Sequence, residues 1–598
     1  MIVLVRQTLA ILLQHRRGLL IFYLFFAGIA LSVLAPVFSW ALAALQPVTG
    51  EAAITTGGLL QFLTSWGGLI WLFVTSLLAV LVIVLQQAGM LLIASTRGHS
   101  EYRIVLWALW GVARKFVRLL ALTIIQVAAH WLVTLPFLLA IAQLYSFFLS
   151  PYDLYYLRLV RPIELWWFGG IAGALLLGAI TVNGWLFLRW ILAVPLVVLD
   201  NQEVKVALRD SIRLSRKQRL PALAALMSGL AAVVIVPITV TLVFRAVGGH
   251  VLEALPQNMD LLVPIMLFYA GLYTLSTLTL AFFGIAAYST LVYAIHERVS
   301  GAHRGPRSLR ISQKAGPIAW TAEVLLIVLA LSQSWLVVHS HDFTDNVSVT
   351  AHRGSSMMAP ENTRSAIELA IADGADYVEV DVRMTADGIP VLWHDANMRR
   401  IFGLDGKISD ITYEEALELD AGLWFSPDFE GERILTLQQA IAITEGRVGL
   451  YVDIKPDADT PTPTRDIVEL LQQEDALERT VVAAAESRVI NEVKRLEPSL
   501  RTTLLAQFIV GPLHRESFDI LGLRHNRVNA ASVAETHHAG QELHVWTVNQ
   551  RDDMARFIDM GVDNIITDRP DVLVELIRER SALTDAELFV TKMRNWLR

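Results

Sequence analysis

Two hydrophobic rhythms divide the chain. Up to about Ser340 the apolar residues come in long blocks, roughly 18–45, 60–94, 117–149, 165–199, 219–244, 261–295 and 319–339. Each is long enough to cross the ~30 Å of a bilayer as a helix of about 20 residues, and the longer ones predict tilt or continuation into the interface. From Val347 the blocks give way to short β-rich runs alternating with stretches of helical period. The candidate strands are 347–352, 376–382, 389–394, 448–454, 479–484, 501–505, 526–529, 542–548 and 563–567. The candidate helices are 363–373, 412–419, 436–445, 464–474, 486–496, 531–539 and 551–560. Eight or nine strands in βα alternation predict a parallel (β/α)8 TIM barrel, with the short run 526–529 as the surplus strand. A doubly wound open sheet is the rival, but no Gly-x-Gly-x-x-Gly turn supports a dinucleotide site in it. The predicted organisation is an α-helical multi-span membrane domain over 1–340 with about seven transmembrane helices, a barrel over 345–575 and a helical tail over 576–598.

Charge placement adds an orientation. The 598 residues are 54% apolar and only 18% charged, below the roughly one quarter of soluble domains. The net charge of −7 leaves no basic footprint for nucleic acid, and the absence of cysteine excludes disulfides, thiolate metal ligands and cysteine nucleophiles. Arg6, Arg16 and Arg17 precede the first apolar block. Arg97, Arg103, Arg114, Lys115 and Arg118 follow the second, Lys205 to Arg219 follow the fourth, and Arg298 to Lys314 follow the sixth. The alternate loops hold only Arg158, Arg161 and Arg245. The positive-inside rule then places the N-terminus in the cytoplasm, and seven crossings place the domain after Ser340 outside the cytoplasmic membrane. A hairpin inside 60–94 or 165–199 would bring a basic loop to the outer face, which favours the odd count. Ala41-Leu42-Ala43 has the shape of a cleavage site, but the apolar core before it is about twice the 7–15 residues of a signal peptide, so an uncleaved anchor is expected.

Polar residues are few within the blocks: His130, Asn183 and Arg189. His130 is expected to be a satisfied packing residue rather than a proton relay, and Arg189 to snorkel from a cytoplasmic end. Between Asp200 and Arg219, Val204, Leu208 and Ile212 share one helical face, which predicts an interfacial helix on an anionic leaflet or a solvated basic loop.

The chemistry gathers at strand ends. The first strand finishes His352-Arg353-Gly354 and leads into Pro360-Glu361-Asn362-Thr363, where Asn362 or Thr363 can cap a helix. In the second, alternation puts Glu379 and Asp381 on one face; the third ends at His394-Asp395, and in the fourth Asp453 and Lys455 share a face. Trp546 and Asp568 close the series. Two histidines, three carboxylates, an arginine and a lysine therefore meet at the C-terminal mouth of a barrel, where barrel enzymes carry their sites. Three adjacent carboxylates repel unless a hard cation held through oxygen neutralises them. Arg353 and Lys455 suit a phosphate, and two histidines can supply an acid and a base near neutral pH. Metal, phosphate and two proton carriers describe phosphodiester cleavage.

Residues 347–570 resemble the glycerophosphodiester phosphodiesterase family, with its pattern HRG…PENT, E-x-D…T-x-DG…HD, E-x-K, WT-V-N and TD-x-P. The apolar half resembles the multi-span domain fused to this enzyme in some bacterial members. The resemblance implies hydrolysis of a glycerophosphodiester to sn-glycerol 3-phosphate and an alcohol with one divalent cation, Ca2+ or Mg2+. It implies catalytic roles for His352 and His394, metal ligation by Glu379, Asp381 and Asp453, phosphate binding by Arg353 and Lys455, and a substrate-lining Trp546. The implied partners are that substrate and membrane lipid. Two departures stand out: Asp453 occupies a position where the family usually has glutamate, and VVAAAESR at 481–488 lacks the family's Ser-Phe pair. The implied mechanism uses the glycerol 2-hydroxyl as an internal nucleophile, with attack by metal-bound water as the alternative. A lysophospholipid or glycerolphosphate polymer is an alternative substrate, since leaving-group specificity would lie in loops such as Asp395 to Phe429. A transporter or binding protein with an inactive barrel is the non-enzymatic alternative.

Overall fold

The computed structural model describes residues 2–30, 32, 53–55, 65–96, 101–150, 157, 161–216, 218–254, 259–300, 324, 325, 327–332, 335, 345–456, 463–509 and 517–597. The chain divides into two compact units. One comprises Met1–Ala44, Leu69–Leu255 and Val263–Val338; the other comprises Leu45–Gly68, Pro256–Leu262 and His339–Arg598.

The first unit is helical: α1 (Ile2–Ile29), α2 (Trp66–Ser95), α3 (Glu101–Leu149), α4 (Ile163–Trp190), α5 (Ala193–Val198), α6 (Val204–Ser215), α7 (Arg219–Ala254) and α8 (Met259–Val299). Among the described residues five stretches are long and apolar enough to cross a membrane: Val3–Ile29, Trp66–Ser95, Arg103–Leu149, Ile163–Val198 and Val263–Val299. Within α7 the apolar stretch is the shorter Val234–Gly248. The expected seventh block and Ala41–Ala43 fall largely or wholly outside the described residues. Large side chains stand exposed along these helices, Leu132 at 75% and Phe147 at 76%, as surfaces facing hydrocarbon would. The segment read as an interfacial helix or basic loop is α6. Its small-residue face, Ala207, Ser211 and Ser215, is the buried one, whereas Val204, Leu208 and Ile212 are half-buried. Ser211 explains the packing: its hydroxyl donates to Arg189 O (2.8 Å) and accepts from the Leu192 N–H (3.2 Å), satisfying backbone groups freed where α4 ends. Arg189 itself lies over the Trp185 ring, 4.2 Å from its centroid.

The second unit is a closed barrel. Its strands are β1 (Ala53–Thr55), β2 (Ser348–Ala351), β3 (Tyr377–Met384), β4 (Pro390–Leu392), β5 (Gly449–Ile454), β6 (Thr480–Ala484), β7 (Arg501–Ile509), β8 (Ile520–Arg524), β9 (Glu542–Trp546) and β10 (Asn564–Thr567). Strands β2, β3, β5, β6, β7, β8, β9 and β10 pair in parallel in that order, and β10 returns to β2. β1 adds an antiparallel segment to the far end of β7. Helices α9 (Arg364–Asp373), α10 (Arg399–Phe402), α11 (Tyr413–Leu417), α12 (Leu437–Thr444), α13 (Thr464–Gln473), α14 (Ser487–Leu496), α15 (Ala530–His538), α16 (Arg551–Met560), α17 (Pro570–Ser581) and α18 (Asp585–Leu597) follow the strands.

Two strand assignments differ from the sequence expectation. Residues 389–394 do not form a barrel stave. Thr385, Asp387 and Gly388 (φ +79°) make a tight turn that sends β4 back antiparallel to β3, a turn chemistry that Asp-Gly favours. The eighth stave is β8, whereas 525–527 is a 3-10 turn. Gly522 interrupts the apolar run of β8, and a Cβ there would stand 2.6 Å from Leu505 Cδ2 on the neighbouring strand, the close approach that a strand glycine permits.

Alternation sorts the strand residues. Val378, Val380 and Val382 of β3 and Leu450, Val452 and Ile454 of β5 join the shell core against the helices. Tyr451, Val481, Ala483, Ile520 and Ile566 form a smaller core inside the barrel. Tyr451 is fully buried there, with its hydroxyl donating to Thr503 Oγ1 (2.6 Å). Residues of this inner parity, continued toward the C-terminal ends of the strands, are Glu379, Asp381, Asp453, Lys455, Trp546 and Asp568. The inner parity that fills the barrel floor with apolar side chains thus delivers charge to its mouth.

Candidate active site

The turn after β2 sets the first group. Arg353 (φ +56°) and Gly354 (φ +80°) both adopt left-handed backbone. A Cβ on Gly354 would lie 2.5 Å from the Ala366 carbonyl carbon of α9, so only glycine lets the turn seat against that helix. The Arg353 N–H consequently donates to Glu379 Oε2 (2.7 Å). Of the two expected caps, Thr363 accepts from the Ala366 N–H. Asn362 instead donates from Nδ2 to Asp381 Oδ2 (2.9 Å) and accepts the Asp381 N–H (3.1 Å).

The three carboxylates meet. Glu379, Asp381 and Asp453 are buried, and each offers an oxygen within 4.8 Å of the others. Asp381 and Asp453 are register partners on β3 and β5, which brings the shorter aspartate into the group. Lys455 Nζ contacts Asp381 Oδ1 (3.1 Å) and Asp453 Oδ2. Arg353 contacts Asp381 through Nε (3.1 Å) and Glu361 through Nη1 (2.9 Å). Burial, with Asp381 beside it, pushes the Glu379 carboxyl up to about 7. Burial raises Asp453 as well, whereas Lys455 and His394 hold Asp381 well below the carboxylate range despite its burial.

Each histidine stands on a carboxylate. His352 Nδ1 is 2.5 Å from Asp568 Oδ1, and Asp568 is itself held by Ser356 and Asn549. His394 Nδ1 is 2.9 Å from Asp395 Oδ1. A carboxylate at Nδ1 fixes the proton there and leaves Nε2 as the working nitrogen. The two rings are shifted in opposite directions. Burial opposes protonation of His352, yet Glu379 and Asp568 outweigh it and raise its pKa; burial and Arg353 lower that of His394.

Arg400 was not singled out by the sequence. Its Nε and Nη2 donate to Asp395 (2.7 and 3.0 Å), and its Nη1 and Nη2 donate to Glu361 (3.0 and 2.6 Å). It is buried and lies over Trp424, 5.2 Å from the ring centroid. Its position six residues after His394, on the single-turn helix α10, carried no signal beyond a basic pair. Replacing Arg400 by Met should cost about 3 kcal/mol of barrel stability, because buried Glu361 would keep Arg353 and buried Asp395 would keep His394, each having lost the Arg400 charge. Chemical denaturation of the full chain measures it. Trp546 ends β9 half-buried against the inner core, at the same mouth.

The residues fit a divalent cation. Asp453 Oδ1 is buried and accepts no hydrogen bond among the described residues. Six carboxylates, Glu361, Glu379, Asp381, Asp395, Asp453 and Asp568, gather around the permanent cations Arg353, Arg400 and Lys455. The donor atoms of the central three are all oxygen, the set that a hard ion takes.

A parallel eight-stranded barrel with an acidic, two-histidine mouth, carried behind a helical membrane domain, defines a membrane-associated barrel hydrolase. Residues 352–572 match the "Glycerophosphoryl diester phosphodiesterase family", and residues 5–314 match the "Membrane domain of glycerophosphoryl diester phosphodiesterase". The chain belongs to the glycerophosphodiester phosphodiesterase family. It is 34% identical over 238 residues to a glycerophosphodiester phosphodiesterase of Caldanaerobacter subterraneus subsp. tengcongensis, covering 39% of this chain and 98% of that protein. A glycerophosphodiester phosphodiesterase of Bacillus subtilis is 27% identical over 250 residues, covering 38% of this chain and 85% of that protein. Among solved structures, an Oleispira antarctica phosphodiesterase in complex with the product sn-glycerol-3-phosphate is 28% identical, with a TM-score of 0.37, over 39% of this chain and 96% of that one.

Proposed function

We propose that this chain hydrolyses glycerophosphodiesters to sn-glycerol 3-phosphate and an alcohol, with one Ca2+ or Mg2+ held by Glu379, Asp381 and Asp453, at the outer face of the cytoplasmic membrane. The observation that carries the reading is the meeting of three buried carboxylates between two histidine–carboxylate pairs. A bound divalent cation would supply charge stabilisation for the phosphoryl oxygens. Arg353 and Lys455, anchored on the same carboxylates, present guanidinium and ammonium to the phosphate. One histidine takes the proton of the glycerol 2-hydroxyl, whose oxygen attacks phosphorus. The other gives a proton to the departing alcohol oxygen. Water then opens the cyclic phosphate as the same two nitrogens act in reverse. Asp395 and Asp568 keep both rings oriented throughout.

The purified full chain tests the substrate class against glycerophosphocholine, a lysophospholipid and a glycerolphosphate polymer, with glycerol 3-phosphate as the readout. Turnover of glycerophosphocholine is expected. Turnover of the polymer or the lysolipid alone would move the same chemistry to a larger substrate, and turnover of none would leave the barrel a binding module. Single cysteines at Ser300 and Ser340 of this cysteine-free chain test orientation. An impermeant thiol reagent on intact cells should label position 340 and spare 300, as the basic loops require; the reverse pattern would invert the topology.

A further inference from the structure

The helical unit contains a cavity of about 500 Å3 walled by α2, α3 and α4, with Tyr288 of α8, within the size range of small-molecule sites. Most of its wall is apolar, with Val84, Val127 and Trp131 among the lining residues, and no Asp, Glu, Lys or Arg is among the described ones. Six polar side chains, Ser76, Gln87, Gln126, His130, Thr134 and Tyr288, nevertheless line it from three helices. Such groups are expensive in helices that face hydrocarbon, so their meeting on one void is informative.

A polar chain sets the chemistry. Asn183 donates from Nδ2 to Ala179 O (2.9 Å) and Thr134 Oγ1 (3.0 Å), which fixes its amide so that Oδ1 is the acceptor. His130 Nδ1, 2.6 Å from that oxygen, therefore carries the ring proton. Its Nε2 is left as an acceptor on a cavity-lining ring, with no hydrogen-bond partner among the described residues. The ring is thus hydrogen-bonded at one nitrogen, as a packing histidine would be, and open at the other.

We propose that this cavity binds one uncharged amphiphile, an acyl or alkyl chain lying along the apolar wall with a hydroxyl or amide donating to His130 Nε2. A phosphate or carboxylate headgroup is disfavoured, because the described lining residues include no Lys or Arg and burying an ionised group unpaired is costly. The ligand can come from the bilayer as a neutral lipid or from the barrel as a released lipidic alcohol.

The test uses the full chain in nanodiscs of phosphatidylglycerol and phosphatidylethanolamine, with a diazirine-bearing monoacylglycerol as photoprobe. Labelling is expected in the α2 and α3 segments that line the cavity, displaced by excess monoolein and not by lysophosphatidylglycerol. Val127→Trp and, more gently, Val84→Phe should remove it while hydrolysis by the barrel stays at the wild-type rate. His130→Ala should weaken binding about three- to tenfold, the worth of one hydrogen bond, and should leave a diazirine alkane probe without a hydroxyl unaffected. Mass spectrometry of lipid extracted from wild type and from the His394→Ala chain separates the sources. The same neutral lipid in both means the bilayer, and its presence in wild type alone means the product. Labelling that monoolein does not displace, that lysophosphatidylglycerol displaces equally, or that persists in the folded filling variants would overturn the proposal. Should the filling variants not fold, the competition and His130 results decide alone.

Discussion

Chelation of divalent cations is expected to abolish hydrolysis by the purified chain, and titration of Ca2+ or Mg2+ to restore it. Glu379, Asp381 and Asp453 are buried together, so in the cation-free barrel the repulsion is relieved by a proton, with the Glu379 carboxyl pushed up to about 7. A bound cation must displace that proton, so affinity should fall as pH drops from about 7 toward 5, and binding should release protons measurable by calorimetry in buffers of different ionisation enthalpy. The stability sign is the reverse of the usual acidic case. Between the ordinary glutamate value near 4.5 and about 7 the folded cation-free barrel keeps at Glu379 a proton that the unfolded chain has lost, so this group's contribution to stability decreases as pH rises through that window. Adding the cation should remove the decrease. Removal of any one of the three carboxylates should weaken cation binding and leave the barrel folded, and Asp453→Glu should keep more activity than Asp453→Ala. Full activity in excess chelator would remove the cation from the mechanism.

Replacing His352 or His394 by Ala should lower kcat by roughly 10²–10⁴-fold, with a smaller effect on substrate affinity, as expected of groups that move protons in the transition state. Their effects should be far from additive, since both act on one transition state. A p-nitrophenyl leaving group needs little protonation, so it should rescue the variant lacking the acid and leave the variant lacking the base impaired. Each ring has an aspartate at Nδ1, so geometry treats them alike and this asymmetry reads their roles. Turnover is measured per folded molecule, with fold checked by circular dichroism. Near-normal kcat in both variants would reduce the histidines to hydrogen-bonding residues of the barrel rim.

Much of the barrel was legible because strand alternation is a local property. Glu379 with Asp381, and Asp453 with Lys455, share a face by their spacing alone, and the pairing of β3 with β5 in register then brings the two pairs together. The seven candidate helices were read to within one or two residues at each end, since their periods and caps are local too, whereas α10 and α17 were not among the candidates. Properties that depend on distant packing were less accessible. The run before His394 has a strand's composition, and the Asp-Gly turn at 387–388 decides that it returns as a hairpin rather than as a stave. β8 was missed because Gly522, required by the approach of β7, breaks its apolar pattern. Arg400 was missed because a buried double ion pair leaves no periodic trace in sequence; only the fold shows that it ties Glu361 to the aspartate behind His394. In α6 the stripe Val204, Leu208 and Ile212 was legible as a helical face, whereas the packing of Ala207, Ser211 and Ser215 against the end of α4 was not, because it depends on small residues that let the helix approach.

Phosphorus NMR of the full chain acting on glycerophosphocholine with saturating divalent cation tests the assignment most directly, because it reports which phosphorus–oxygen bond breaks. The diester resonance should convert to glycerol 3-phosphate with release of choline, and the conversion should stop in chelator and in the His352→Ala, His394→Ala double variant. An unchanged diester signal from folded wild-type chain, or phosphocholine and glycerol as the products, would contradict it.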